Sequence, residues 1–134
     1  MVSTHEALIY AMVLVAAADR SMSDPELATI GFLVHRLPIF EDFDEEKLPA
    51  VAARCADVLS DEDGLDRLLV IIRDSMPERL HETAYALAVE VAAADRHASQ
   101  EELRILELMR HRLELDRLIA AGIERGARAR LATM

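Results

Sequence analysis

The sequence has little of several residue types, and each shortage excludes a class of protein. It contains one cysteine, no tryptophan, 4% aromatic residues, four glycines and four prolines among 134 residues. The single cysteine, Cys55, cannot form an intramolecular disulfide, so we expect a reducing compartment, the cytoplasm. The net charge is −10. That charge argues against nucleic acid and anionic membranes as partners, because both require a basic surface.

The residues that are abundant favour helices. Hydrophobic residues make up 52% of the chain and are mostly Ala, Leu, Val, Ile and Met, which enter helices at little entropic cost. We therefore predict an all-α fold with one domain over residues 1–134. The apolar run at 8–18 follows a segment without Lys or Arg, is too short to span a bilayer, and recurs at 84–94. It predicts a buried helix rather than a targeting peptide or a membrane insertion.

Charge is unevenly distributed along the chain. Residues 104–134 contain seven arginines and four acidic residues, so this basic tail follows a strongly acidic body. Such a dipolar surface favours a protein partner or a homo-oligomer. A solvated helix of mixed charge is the alternative interpretation.

An internal repeat organises the chain. A shift of 76 residues aligns 8–39 with 84–115 without a gap, and thirteen of the 32 positions are identical. The identities include Asp, Arg, Ser, Glu and His in register, which indicates a real duplication rather than two similar helices. Two copies are too few for a solenoid, so we predict two helical hairpins related by a pseudo-twofold axis.

Each repeat unit has the same predicted structure. An apolar helix, at 7–18 or 85–94, ends at an Asp-Arg pair and is followed by a polar loop. A capping box then starts a second helix, with Ser23 and Glu26 in one unit and Ser99 and Glu102 in the other. The second helices are amphipathic, and their apolar stripes comprise Leu27, Ile30, Leu33, Val34 and Leu37, and Leu103, Leu106, Met109 and Leu113.

Three more helices complete a prediction of about seven. Two lie between the units, at 45–59 and 65–75, and the first carries Cys55 on its apolar stripe as an inert core thiol. The last, at 116–131, has a predicted apolar face of Leu118, Ile119, Ile123, Ala127 and Leu131.

The acidic residues of the repeated loops are the candidate site. If the pseudo-twofold brings the two apolar helices together, their loops gather carboxylates into one patch, and such oxygen-rich clusters suit hard divalent cations. The predicted metal ligands are Asp19, Glu26, Asp95 and Glu102, with Asp24 and Glu101 as additional acidic contacts. No sequence feature identifies the metal.

A structural interpretation of the same residues stays open. The two glutamates serve as capping-box partners, and Asp19 and Asp95 could accept loop amides or pair with Arg20 and Arg96. No phosphate-binding glycine loop, nucleophile elbow or Cys/His pair points to an enzyme, so we predict a non-enzymatic protein. A hydrolase or other metal-dependent enzyme using the clustered carboxylates is the remaining alternative. The repeated His35 and His111 lack a second ligand at helical spacing and are predicted to lie on the surface.

At the repeated loops the chain resembles the tellurite-resistance TerB-like family. Members share an apolar helix ending in Ala-Asp-Gly, a short loop, and a Ser/Asp-x-x-Glu helix start, given twice in about seven helices. The matching stretches here are residues 15–26 and 91–102. The family glycine after each aspartate is replaced by Arg20 and Arg96, whose guanidinium groups could take the place of a cation.

The resemblance implies a cytoplasmic module of the response to tellurite and other chemical stress. It also implies an acidic surface suited to metal binding, with a site carried over to Asp19, Glu26, Asp95 and Glu102, and a role in protein assemblies. The leading hypothesis is therefore a binding module that holds a divalent cation or a partner protein at the paired acidic loops. A structural or self-associating adaptor without metal is the alternative.

Overall fold

The computed structural model of the chain describes residues 1–18, 22–94 and 98–134. These ranges contain seven α-helices, three short 3-10 segments and no strand, so the predicted all-α class is confirmed. The helices are α1 (Thr4–Ala16), α2 (Asp24–Arg36), α3 (Leu48–Leu59), α4 (Gly64–Asp74), α5 (His81–Ala92), α6 (Gln100–Arg112) and α7 (Arg117–Arg130). Within the described ranges, none of the helices combines the length and apolar character that a bilayer crossing needs.

Helices α1 and α5 form the centre of the core. Every residue of α1 from 7 to 16 is buried, and α5 is buried along most of its length. The two helices pack directly against each other, and α1 also contacts α2, α3, α4 and α6. A helix that is apolar on all sides must be surrounded by protein. The predicted buried helices are therefore confirmed, although each begins earlier and ends two residues earlier than the sequence suggested.

The two hairpins pack against each other. In the first, α1 contacts α2, and in the second, α5 contacts α6; in addition, α2 touches α5 and α6 touches α1. The outer helices α3 and α7 pack on α1 and α5 respectively. This reciprocal pattern is the one that a twofold relation requires, while the symmetry itself stays a prediction.

Both central helices start at the same end of the molecule. The Thr4 hydroxyl at the start of α1 donates to the carbonyl of Ser75, at 3.2 Å. The His81 Nε2 at the start of α5 lies 3.0 Å from the carbonyl of Arg73, in the last turn of α4. Because α1 and α5 begin side by side and pack together, their C-terminal ends lie on the same side of the molecule.

The helices between the units are close to their predicted positions. A 3-10 turn at Glu45–Lys47 leads into α3, and α4 begins at Gly64. Cys55 on α3 is fully buried, and its thiol lies 3.8 Å from the carbonyl of Tyr10. Burial raises the pKa of Cys55 to about 12. The thiol is therefore an unreactive core group, as predicted.

The predicted apolar face of α7 is partly wrong. Ile123 and Ala127 do pack on the core, together with Ala120. Leu118 is 82% exposed, Ile119 40% and Leu131 38%. The apolar stripes of the hairpin helices also need a correction, because Leu27 and Leu103 are each 48% exposed. These side chains are in the first turns of α2 and α6.

Helix α6 ends in a Schellman motif with a glutamate in the left-handed position. The N–H of Glu114 donates to the carbonyl of His111, and the N–H of Leu115 donates to that of Arg110, both at 3.1 Å. The φ angle of Glu114 is 53°. Glycine usually fills this position because it has no Cβ to clash there.

We expect Glu114→Gly to raise the free energy of unfolding by about 0.5–1 kcal/mol, as measured by urea denaturation. The relief of backbone strain outweighs the greater freedom of glycine in the unfolded chain. Glu107→Gly, at an exposed position inside α6, is the control and should lower stability by about 1 kcal/mol. A loss of stability in both variants would contradict the interpretation of Glu114.

Candidate acidic loop site

Two predicted capping boxes are present at the starts of α2 and α6. The Ser23 hydroxyl accepts from the N–H of Glu26 at 3.2 Å, and the N–H of Ser23 donates to Glu26 Oε1 at 3.0 Å. The corresponding distances between Ser99 and Glu102 are 3.1 and 2.9 Å. Both structural assignments of the glutamates are therefore confirmed, each through one carboxylate oxygen.

A third capping box starts α1 and was not predicted. Ser3 and Glu6 make the same two reciprocal hydrogen bonds, at 2.9 and 3.1 Å. The signal was available as Ser3-x-x-Glu6, ahead of the first apolar helix. The second oxygen of Glu6 pairs with the Arg54 guanidinium. The N–H of Ser3, donating to the carboxylate, lowers the pKa of Glu6 below its usual range.

Glu26 and Glu102 are more deeply buried than Glu6, the capping glutamate of α1. The Glu6 side chain is 22% exposed and both of its oxygens are paired. Glu26 and Glu102 are only 1% and 2% exposed as whole residues. Capping requires no such burial, because the Ser3–Glu6 box works at the surface.

One buried oxygen of Glu26 is left over. Its Oε1 accepts from the N–H of Ser23 and from the Ser23 hydroxyl, both at 3.0 Å. Its Oε2 is shielded from solvent and has no hydrogen-bond partner among the described residues. Burying an ionised carboxylate oxygen without a partner costs on the order of several kcal/mol, so such atoms are rare in native folds.

The remaining predicted site residues divide into two groups. Asp24 and Glu101, proposed as additional acidic contacts, are exposed at the first turns of α2 and α6. No three His, Cys, Asp or Glu side chains of the described ranges come together as a group that could hold a metal. The predicted ligands Asp19 and Asp95 and the predicted charge partners Arg20 and Arg96 lie outside the described residues.

The helix directions are compatible with a shared patch. The two loops connect α1 to α2 and α5 to α6. Since α1 and α5 end on the same side of the molecule, Ala18 and Ala94, the last described residues before the two loops, follow helix ends on that side.

The histidines have structural roles that the sequence showed only in part. His35 and His111 are exposed, as predicted, and His35 pairs with Glu45 at 2.9 Å. His81 is buried, which was not predicted, and its Nε2 donates to the carbonyl of Arg73. The position of His81 at the first turn of an apolar helix was the available signal for its burial.

Comparisons with known proteins support one family. The family model described as tellurite resistance protein TerB matches residues 5–123, which is most of the chain and includes both repeat units. Searches of curated proteins and of solved structures gave no significant match.

Proposed function

The chain belongs to the TerB family of tellurite resistance proteins, and on that premise we propose that it is a non-enzymatic, cytoplasmic module of a chemical-stress response. Its paired acidic loops, with Asp19, Glu26, Asp95 and Glu102 as ligands, bind a divalent cation. Family membership supports a tellurite-resistance-type role in general.

The observation that carries the metal proposal is the unpartnered Oε2 of Glu26. A cation bound beside this oxygen would give it the partner that the Ser23–Glu26 capping box does not supply. Carboxylate oxygens are the donors that Mg²⁺, Ca²⁺ and Mn²⁺ prefer. The buried surroundings exclude competing water, which strengthens the attraction between the carboxylate and a cation.

The sequence supplies further donors in the same loop. Asp19 lies seven residues before Glu26, between the end of α1 and the cap of α2. Asp95 precedes Glu102 by the same spacing in the second unit. A carboxylate following a helix C-terminus faces the negative end of the helix dipole, so a cation would relieve that repulsion as well.

We expect one of Mg²⁺, Ca²⁺, Mn²⁺ and Zn²⁺ to release heat on calorimetric titration and to raise the melting temperature. At a concentration one hundred times the Kd, the stabilisation should be about 2.7 kcal/mol. Glu26→Gln and Asp19→Asn should each lose this response. Glu26→Gln should nevertheless fold at least as stably as the wild type without metal, because it removes a buried charge and keeps a capping oxygen.

Glu6→Gln is the matched control. It changes a capping-box glutamate of the same Ser-x-x-Glu pattern whose second oxygen is already paired with Arg54. This variant should retain the full metal response. A wild-type protein that gives neither heat nor a thermal shift with any of the four ions would exclude the metal site and return the glutamates to a capping role. Binding of a basic peptide by that metal-free protein would then favour a protein partner.

A further inference from the structure

An open groove lies on the second hairpin, next to the last helix. It is bounded by α5, α6 and α7 and has a volume of about 690 Å³. Its apolar lining includes Val89, Ala92, Leu103, Leu106, Ala127 and Leu131. Its size is typical of sites for small molecules.

One part of the groove carries a cation with few partners. Arg110 Nη1 lies 3.9 Å from Glu124 Oε2, which is too long for a hydrogen bond. The side chain of Arg110 is 36% exposed. A guanidinium has five N–H donors in a fixed fork that matches a carboxylate. Arg110 is therefore available to bind an anion.

The nearest carboxylate in the groove is already engaged. Glu124 accepts a hydrogen bond from the Tyr85 hydroxyl. Burial, together with this hydrogen bond to Glu124, raises the pKa of Tyr85, so the hydroxyl stays protonated as a donor. Glu124 therefore does not compete fully for Arg110, and it is less suited than a free carboxylate to bind a ligand cation.

On α6, the cationic Arg110 and the apolar Leu103 lie at separate points of the groove, while the second arginine of its lining, Arg128, is on α7 next to Ala127. Leu103 precedes Arg110 by seven residues, which is about 10 Å along the helix axis. Leu103 and Leu131 are half-exposed apolar side chains, at 48% and 38%. A ligand that spans this distance would cover both leucines while its head group reaches the guanidinium.

We propose that the groove between α5, α6 and α7 binds a small amphiphilic monocarboxylate, of the medium-chain fatty-acid class, with its carboxylate on Arg110 and its aliphatic chain over Leu103, Ala127 and Leu131. This site is independent of the acidic loop proposal, since it uses none of the predicted metal ligands.

Octanoate is the probe that tests the site, measured by isothermal titration calorimetry on the full chain. We expect saturable binding with one site per chain. Butanoate should bind more than tenfold more weakly, because each methylene that is buried tightens binding by up to about fourfold. Arg110→Gln should weaken octanoate binding more than tenfold through the loss of charged hydrogen bonds. Leu103→Glu, which places a charge beside the aliphatic chain, should also weaken it about tenfold.

Each variant has a matched control. Arg125→Gln removes an exposed arginine of α7 that does not line the groove. Leu27→Glu changes the repeat equivalent of Leu103, which has the same exposure on α2. Both controls should bind octanoate within twofold of the wild type. Because all four positions are at least partly exposed, circular dichroism should show the same helix content in every variant.

Three results would overturn the proposal. The first is no saturable octanoate binding at millimolar concentrations. The second is octanoate binding that Arg110→Gln leaves unchanged, which would indicate a head-group site on Arg128 or adsorption at unspecific apolar surface. The third is tighter binding of octylammonium than of octanoate, which would make Glu124 or Glu107 the head-group ligand instead of Arg110.

Discussion

Replacing Gly64 with alanine is expected to lower the free energy of unfolding by about 3 kcal/mol or more. A Cβ atom at this position would lie 2.1 Å from the carbonyl oxygen of Val58 and 2.7 Å from that of Leu59. Both contacts are to backbone atoms at the end of α3, which cannot rotate away as a flexible side chain would. The substitution must therefore separate α3 from the start of α4, and both helices contact α1.

The matched control is the same substitution at Gly122 of α7. A Cβ there would meet no atom of the described residues within 4 Å, apart from its chain neighbours and the backbone of its own helix. Alanine favours a helix interior over glycine by up to about 1 kcal/mol, so Gly122→Ala should be neutral or stabilising. Urea denaturation of both variants measures the difference. Equal stability of the two would show that the turn between α3 and α4 is less tightly packed than described.

Truncating Leu14 to alanine is expected to destabilise the fold by about 2–5 kcal/mol. Leu14 is fully buried in α1, the helix that contacts most of the other elements. Its removal leaves a cavity between α1 and its neighbours, and a closely packed core relaxes only partly around such a cavity.

Leu118→Ala tests the same side-chain change where burial is absent. Leu118 is 82% exposed, so its truncation should change stability by no more than about 0.5 kcal/mol. Chemical denaturation measures the free energy of unfolding of both leucine variants. Because both change Leu to Ala within a helix, the difference between them reports the contribution of core packing. A large loss in Leu118→Ala, growing with protein concentration, would instead reveal an association between chains through α7.

The central helices could be predicted because their sequence leaves no polar side. Residues 7–16 offer no face that water would solvate, so burial of α1 follows from composition alone. The start of α2 was equally well marked, since Ser23, Pro25 and Glu26 specify a capped first turn. In both cases a local pattern has one dominant physical outcome.

The exposure of Leu118 shows that an apolar residue belongs to the buried face of a helix only if its spacing from the other buried residues fits the helical period. Leu118 precedes Ile123 by five residues, which is about 140° around a helix at 100° per residue. Ala120, Ile123 and Ala127 are spaced by three and four residues and form the inner stripe. A strict count of the spacing would have placed Leu118 outside it.

The burial of Glu26 could not have been predicted from its local sequence. Ser3–Glu6 and Ser23–Glu26 share one pattern and one set of hydrogen bonds. Glu6 nevertheless lies near the surface with Arg54 beside it, while Glu26 is covered by the rest of the fold. Which carboxylate keeps an unpaired oxygen depends on packing between distant helices, and a single sequence does not contain that information.

The central position of α1 has a consequence for synthesis on the ribosome. Within this domain α1 is synthesised before α5, its main packing partner, which follows about 76 residues later in the chain. Until α5 emerges, the nascent protein must carry an apolar helix that no neighbour can fully cover, and contacts so distant in sequence form slowly. We therefore expect early chains of this protein to need protection from aggregation until α5 is made.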